Sequence, residues 1–369
     1  MHLAFVDFVY AYDAARPETD EPLGGTTSAI CFLAREMVRA GIACTFFNRV
    51  AQPRQAHGIP SLPFQALGDE IGRGVYDAYI FCGRWSVELV GLVRTHTKAP
   101  LIGWMHESVF APPMTPALET FDGMVFVSAW QQRVNQHVAQ PHWKQAVIRN
   151  AMNPAVAASF PPQAETLAAK AQPPILLFAG SFARGAFHIP PLLDKIRETR
   201  QDFSVEMFCN LNPSRNPDSD AAYIAWLREQ PAIAHIGMVG QQELARRMRR
   251  AAIMLVPNPW PETSCIALIE GLASGLDAIT TNRAALPETG AGFARQIPLE
   301  GADEPTRFDM SLDYDAFAQA VLDALQEREE VPAAVEARLR RQIDFFHENY
   351  QWSQRVAPWV TLVEALKLN

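Results

Sequence analysis

The sequence predicts two doubly wound α/β domains in tandem, and three observations carry that expectation. Short apolar runs alternate with helical patterns along almost the whole chain, as in a mostly parallel sheet covered by helices. The 369 residues, 49% of them hydrophobic, exceed what one core comfortably organises and suit two. Between Pro154 and Pro174 the alternation stops, where Pro161-Pro162 and Pro173-Pro174 bracket an Ala-rich stretch poor in aromatics, and then it restarts. The expected boundaries are residues 1–150 for a first Rossmann-like domain, 151–172 for a linker, 173–330 for a second and 331–369 for C-terminal helices.

The first domain opens on a buried strand at 3–9, followed by a polar loop through Asp20 and Glu21. Gly24-Gly25 precede a helix over about 26–40. Its Ile30, Leu33, Ala34, Met37 and Val38 recur at helical spacing, and Gly41 is placed to stop it. Further strands are expected at 44–47, 77–82, 101–105, 124–127 and 146–148. Beyond the linker, strands are expected at 175–179, 204–208, 234–236, 253–256 and 278–280, with clear helices at 241–250 and 265–273. The tail from about Val331 is helical, and Phe345, Phe346, Trp352, Trp359, Val360 and Val363 are its buried-face candidates.

Composition excludes several functions. Aromatics at 10% and charged residues at 20% belong to a folded chain, not a disordered one. The formal charge of −8 gathers in the second half, and no broad basic surface suited to nucleic acid is present. Cys31, Cys44, Cys82, Cys209 and Cys265 form no C-x-x-C pair, and all but Cys265 lie in or beside apolar runs. We expect free thiols in a reducing compartment, with no disulfide framework and no structural zinc. The N-terminus leads straight into a strand pattern, with no basic segment or cleavage site. No stretch approaches the roughly 18 apolar residues of a membrane span. The expectation is a soluble, cytoplasmic protein, with peripheral contact at the inner membrane face left open.

The strongest chemical signal runs from Pro257 to Glu270, Pro-Asn-Pro-Trp-Pro-Glu-Thr-Ser-Cys-Ile-Ala-Leu-Ile-Glu. A strand ends, prolines force a turn, and a helix is expected to begin near Thr263, with Thr263 and Ser264 able to cap it. The amides at such a helix start, through Cys265 and Ile266, make an anion site suited to a diphosphate. Glu262 stands at the mouth of the turn. Glu270 lies eight residues on, a little over two helical turns, so both carboxylates can face one elongated ligand. Taken singly, Glu262 would suit a helix-start acid and Glu270 a solvated helix face. A second signal, Gly180-Ser181-Phe182-Ala183-Arg184-Gly185, directly follows the first strand of the second domain. A third, Gly24-Gly25 before a helix, is weak by itself. A fourth is His106, at the end of the strand 101–105.

These residues resemble glycosyltransferase family 4, the retaining GT-B enzymes. Their two glutamates in E-x7-E match Glu262 and Glu270. Gly271-Leu272-Ala273-Ser274-Gly275 and Ala285-Leu286-Pro287-Glu288-Thr289 are similar to the segments that follow in the family. The resemblance implies a GT-B fold, two Rossmann-like domains facing across a cleft, with the C-terminal helices returning to the N-terminal domain. It implies a nucleoside diphosphate sugar donor, UDP- or GDP-linked, and transfer to the hydroxyl of a glycan, lipid-linked or protein acceptor, as in glycan or surface polysaccharide synthesis. Glu262 would orient the sugar and Glu270 the ribose. Arg184 would take the family's Lys position at the diphosphate, while Ser181 replaces its Arg. His106 would contact the donor sugar and Gly24-Gly25 would approach it. Ser128 and Asn150 match further family positions, with Ala151 in place of a glycine.

No cofactor and no essential metal is expected. Asp218-Ser219-Asp220 has the D-x-D form of a manganese site, but it is expected in a turn-rich stretch and not at a strand end. Arg246, Arg247, Arg249 and Arg250 suit either a solvated helix face or an anionic lipid surface. Two alternatives stay open: a GT-B epimerase or hydrolase, and a non-catalytic nucleotide-sugar-binding protein. Ser181 favours the second.

Overall fold

The computed structural model describes residues 1–110, 112, 114–159, 165–209, 217–230, 233–307 and 311–368; for 217–220 and 228 it describes the backbone alone. The chain divides into two compact units. One contains Met1–Ala151 with Tyr350–Asn369, the other Met152–Asn349.

The first unit runs β1 (His2–Val6), α1 (Gly25–Arg39), β2 (Ala43–Asn48), β3 (Arg54–Ala56), β4 (Ile59–Pro63), α2 (Leu67–Ile71), β5 (Ala78–Gly83), α3 (Val87–His96), β6 (Leu101–Met105), β7 (Gly123–Phe126), α4 (Ala129–Val134) and β8 (Lys144–Val147). The sheet order is β3-β4-β2-β1-β5-β6-β7-β8, parallel except for the β3–β4 pair. Every residue of β5 and β6 is buried, because helices cover both faces of the sheet. The chain leaves β1 in opposite directions to reach β2 and β5, so their carboxyl ends frame a topological switch point. α1 ends as its sequence predicts. Gly41 is left-handed, its N–H reaches the Val38 carbonyl, and the Ile42 N–H reaches Met37, which is a Schellman closure.

The hairpin β3–β4 was not expected. Pro60 and Pro63 disguise β4, and His57-Gly58 turns the chain with both φ angles positive, at 50° and 75°.

The second unit runs α5 (Pro154–Ser159), β9 (Ile175–Ala179), α6 (Ile189–Arg197), β10 (Ser204–Phe208), α7 (Pro217–Arg228), β11 (Ile233–His235), α8 (Gln241–Arg250), β12 (Ile253–Val256), α9 (Ile266–Ala273), β13 (Asp277–Thr281), α10 (Leu286–Gly290), β14 (Arg295–Ile297), α11 (Tyr314–Glu330) and α12 (Pro332–Asn349). Its sheet is wholly parallel, in the order β11-β10-β9-β12-β13-β14. Leu176, Phe178 and Val205 of the sheet pack with Leu192 and Ile196 of α6 and with Phe317 and Val321 of α11. Both units are thus the doubly wound α/β layers that the alternation predicts. The edge strand β14 is short and polar, and periodicity did not mark it.

The C-terminal helices divide between the units. α12 lies against α9 in the second unit, where Arg338 and Arg328 of α11 both pair with the buried Asp277 at the start of β13, at 2.6 and 2.8 Å. Only the last helix, α13 (Ser353–Lys367), belongs to the first unit, packed on α1 and β8. Its Trp359 is fully buried with its ring edge-on to Trp104, 5.3 Å away, and Lys367 pairs with Asp77. Among the described residues no helix is long and apolar enough to cross a membrane.

Trp359→Ala should therefore destabilise the first unit by about 3–5 kcal/mol through loss of burial and the cavity left behind. A denaturant melt followed by tryptophan fluorescence checks this. An unchanged midpoint would mean that the tail is not part of that unit's core.

Candidate functional site

The site forms where β9 and β12 end. Beyond β9, Ser181 is exposed and opens a short 3-10 turn, Phe182–Arg184, that closes on Gly185. Gly185 has φ 111°, and a Cβ placed on it would lie 2.4 Å from the Pro257 carbonyl oxygen. Only glycine suits both the dihedral and the approach. That approach brings the β9 loop onto the β12 loop.

The β12 loop is rich in acceptors and poor in donors, since Pro257, Pro259 and Pro261 carry no N–H. Four of its carbonyls are satisfied from one neighbouring segment. The Thr281 hydroxyl donates to the Asn258 carbonyl at 2.8 Å, the Arg283 Nε to Pro259 at 3.0 Å, the Ala285 N–H to Glu262 at 3.0 Å, and the Thr289 hydroxyl to Ser264 at 2.6 Å. Arg283 is completely buried, and its remaining donors serve the Ala302 carbonyl at 2.7 Å and that of Arg307 at 2.5 Å. The sequence does not mark Thr281 and Arg283, and it marks Thr289 only as part of a family segment. The signal available was the run of prolines, which creates carbonyls that need donors from elsewhere.

On this framework Glu262 and Arg184 meet as an ion pair. The Asn258 amide also donates to Glu262, at 3.0 Å, and the Arg184 guanidinium lies over the Trp260 ring, 5.1 Å from its centre. Glu262 is 13% exposed and Arg184 35%. Asn258 and Trp260 are thus further site residues. The pairing itself was not anticipated, because the sugar-orienting and phosphate-gripping roles were assigned separately.

The helix start differs from expectation. α9 begins at Ile266, not near Thr263, and neither Thr263 nor Ser264 caps it. Cys265 occupies the cap position in a left-handed conformation, φ 53°, without a side-chain cap bond. Leu268 and Ile269 both donate to the Cys265 carbonyl, at 3.0 and 3.3 Å. The Ile266 and Ala267 amides are left without a partner inside the helix, an arrangement that attracts an anion.

Glu270 is buried, which excludes the solvated helix face. Its carboxylate accepts the Asn153 N–H at 3.2 Å, and Asn153 in turn donates to the Gln241 carbonyl and side chain at 3.2 and 3.0 Å. Burial pushes the Glu270 carboxyl up to about 7, with the Asn153 bond opposing it.

The first unit carries the remaining candidates. Gly24 is the cap residue and Gly25 the first residue of α1, and no side chain caps that start. A Cβ on Gly24 would meet nothing within 4 Å, so the space before the helix is open. His106 follows β6 and is partly buried, with its ring 4.8 Å from that of Trp104. Burial lowers its pKa to about 3, so it is neutral at physiological pH. Ser128 caps α4 by accepting the Gln131 N–H at 3.1 Å, and Asn150 is buried.

The D-x-D segment falls in the first turn of α7, not in a loop; the side chains of Asp218 and Asp220 lie outside the described residues. On α8, Arg246 pairs with Glu243, and Arg247 with Glu243 and Glu206. Among the described residues no three His, Cys, Asp or Glu side chains gather as a metal site would require.

No protein-family model and no curated protein matches the chain. Solved structures do. A glycosyltransferase from Rickettsia africae aligns with a TM-score of 0.71 at 15% identity, over 100% of this chain and 99% of that one. Sucrose-phosphate synthase from Thermosynechococcus elongatus gives 0.69 at 15% identity with the same coverage. The catalytic domain of starch synthase IV from Arabidopsis thaliana, bound to ADP and acarbose, gives 0.69 at 9% identity, again over 100% and 99%. The chain therefore has the GT-B fold of these proteins.

The raised carboxyl of Glu270 fixes a pH dependence of stability. Unfolded, the group titrates near 4.5; folded, near 7. Between these values the folded state holds the extra proton, so stability falls as pH rises through that window, by about 3 kcal/mol in all. Glu270→Gln should flatten this decline in denaturant melts between pH 4.5 and 7.5. Parallel curves for the two proteins would show that Glu270 is not desolvated.

Proposed function

We propose that the chain is a retaining glycosyltransferase similar to family 4, transferring a sugar from a UDP- or GDP-linked donor to an acceptor hydroxyl in glycan or polysaccharide synthesis. The observation that carries this is the convergence of Arg184, Glu262 and the uncapped start of α9 on two interlocked loops at the carboxyl ends of β9 and β12. Open α/β sheets bind ligands at that edge.

In this reading the donor diphosphate takes Arg184 from Glu262. A guanidinium can grip two phosphate oxygens, and the Ile266 and Ala267 amides add fixed positive potential where the leaving group gains charge. Glu262, released and still oriented by Asn258, accepts hydroxyls of the transferred sugar. Glu270 accepts hydroxyls of the ribose. His106, as a neutral imidazole, serves as a hydrogen-bond partner to the sugar and not as an acid, and Gly24-Gly25 leave the backbone accessible. We assign no nucleophile and no metal, since the leaving charge is met by groups fixed in the protein. The acceptor is a glycan, lipid-linked or protein hydroxyl. Ser181, exposed where the family carries an Arg, supports a second reading, a protein that binds the donor without turnover.

Transfer should persist in EDTA and fall by about a hundredfold or more in Glu262→Gln, with the fold intact by circular dichroism. Donor binding without transfer to any of a broad acceptor panel would favour the second reading. Activity lost in EDTA, restored by Mn²⁺ and abolished by Asp218→Ala with Asp220→Ala would refute the metal-independent mechanism.

A further inference from the structure

Asn153 is the second residue of the second unit, and it is buried. All of its polar groups are engaged. Its carbonyl accepts the Val156 N–H at 2.9 Å, and its Oδ1 accepts the Ala155 N–H at 2.9 Å, which caps the start of α5. Its Nδ2 donates to the carbonyl and to Oε1 of Gln241, the buried first residue of α8, at 3.2 and 3.0 Å. Its N–H donates to Oε1 of Glu270 at 3.2 Å. One residue thus ties the starts of two helices to a carboxylate on a third. The residue type matters. An Asp would cap α5 but offer no donor to Gln241, and it would put a second negative charge beside Glu270. A Ser would cap α5 but lacks the amide that donates to Gln241.

Glu270 is only 4% exposed, and among the described residues its Oε2 accepts no hydrogen bond. Oε2 is therefore the oxygen left for a ligand. The Cys265 thiol, one turn earlier, feels the charges of Glu262, Arg184 and Glu270, so the two carboxylates and the guanidinium gather about one point. Burial raises the Glu270 carboxyl, and the Asn153 N–H opposes that rise. On the elements packed against α9, Glu243 of α8 pairs with Arg246 and Arg247, Asp277 of β13 pairs with Arg328 and Arg338, and His347 of α12 bonds the Ala273 backbone. Neither these groups nor Glu288 of α10 shift Glu270.

We propose that Asn153, held by Gln241, is the positioning residue for Glu270: it fixes Oε1 on the protein and presents Oε2 to the 2′,3′-diol of the donor ribose. This rests on the ribose role proposed for Glu270 and names what makes the carboxylate selective. Two hydroxyls donating to an ionised carboxylate make charge-assisted hydrogen bonds, the stronger kind. The Asn153 N–H favours that ionised form against the burial that opposes it.

Titration calorimetry on the full chain tests this at pH 8 with UDP, GDP and their 2′-deoxyribose counterparts. Wild type should bind its preferred ribonucleotide about tenfold more tightly than the 2′-deoxy form. Asn153→Ser keeps a capping hydroxyl but loses the amide. It should reduce that preference severalfold by weakening the ribonucleotide alone. Gln241→Met, which leaves Asn153 and its cap in place, should act in the same direction and less strongly. Both nucleotides weakened alike, with the preference intact, would be a merely structural effect and would overturn the proposal. Denaturant melts from pH 4.5 to 9 give a second readout that needs no ligand. The Asn153 N–H lowers the folded pKa of Glu270, so loosening it in Asn153→Ser should carry the decline in stability to higher pH, by about half a unit or more. Coincident end points would also overturn the proposal. Equal binding of ribose and deoxyribose forms by wild type would overturn the ribose contact. Binding of neither diphosphate would refute the proposed donor site instead, and the melts would still decide whether Asn153 holds Glu270.

Discussion

The second unit depends on a shortage of hydrogen-bond donors in one loop. Three prolines between Pro257 and Pro261 remove N–H groups where a strand hands over to a helix, yet the carbonyls of Asn258, Pro259, Glu262 and Ser264 still need partners. The segment from Thr281 to Thr289 supplies all four, two through hydroxyls, one through the buried Arg283 and one through a backbone N–H. An unmet buried carbonyl costs about 1–3 kcal/mol, so the loop has one well-determined path. Its functional side chains inherit that definition.

The β12 loop meets its neighbour at the close approach of Gly185 and through Arg184. Gly185 faces the Pro257 carbonyl so closely that any side chain there would clash with it. Arg184, one residue earlier, is thereby delivered to Glu262 and to the face of Trp260. The pair is partly open to water, so its attraction is moderate and a diphosphate can compete for the guanidinium. α9 gives the unit a polarity: uncapped amides at one end, and a buried ammonium closing the other.

The sequence made the repeating parts of the fold legible. β6, β9, β10, β12 and α8 lie where their apolar spacing places them, because each is long enough to show a period and is buried on the faces the pattern implies. Period fails where an element is short, polar or proline-bearing, as in β3, β4 and β14. The site was legible as a constellation, in Glu262, Arg184 and Glu270, but not in its connections. Nothing in the spacing reveals that Arg184 pairs with Glu262, since they are 78 positions apart. Nor does it reveal that Glu270 is buried beneath Asn153, or that Cys265 in a left-handed turn displaces Thr263 and Ser264 from the cap. Those outcomes are set by tertiary packing between segments that no local pattern joins. The same holds for the tail, whose helices read alike in sequence and divide between the units because Arg338 pairs with Asp277 while Trp359 packs on Trp104.

The central claim is that the interlocked loops hold a nucleoside diphosphate through Arg184. Titration calorimetry of UDP, GDP and their parent nucleosides against the wild-type chain and Arg184→Ala tests it most directly. The account predicts that the substitution weakens binding of the preferred diphosphate by about tenfold or more, while its nucleoside changes by less than about twofold. Equal losses for both ligands, or no loss for either, would contradict it and remove Arg184 from the phosphate site.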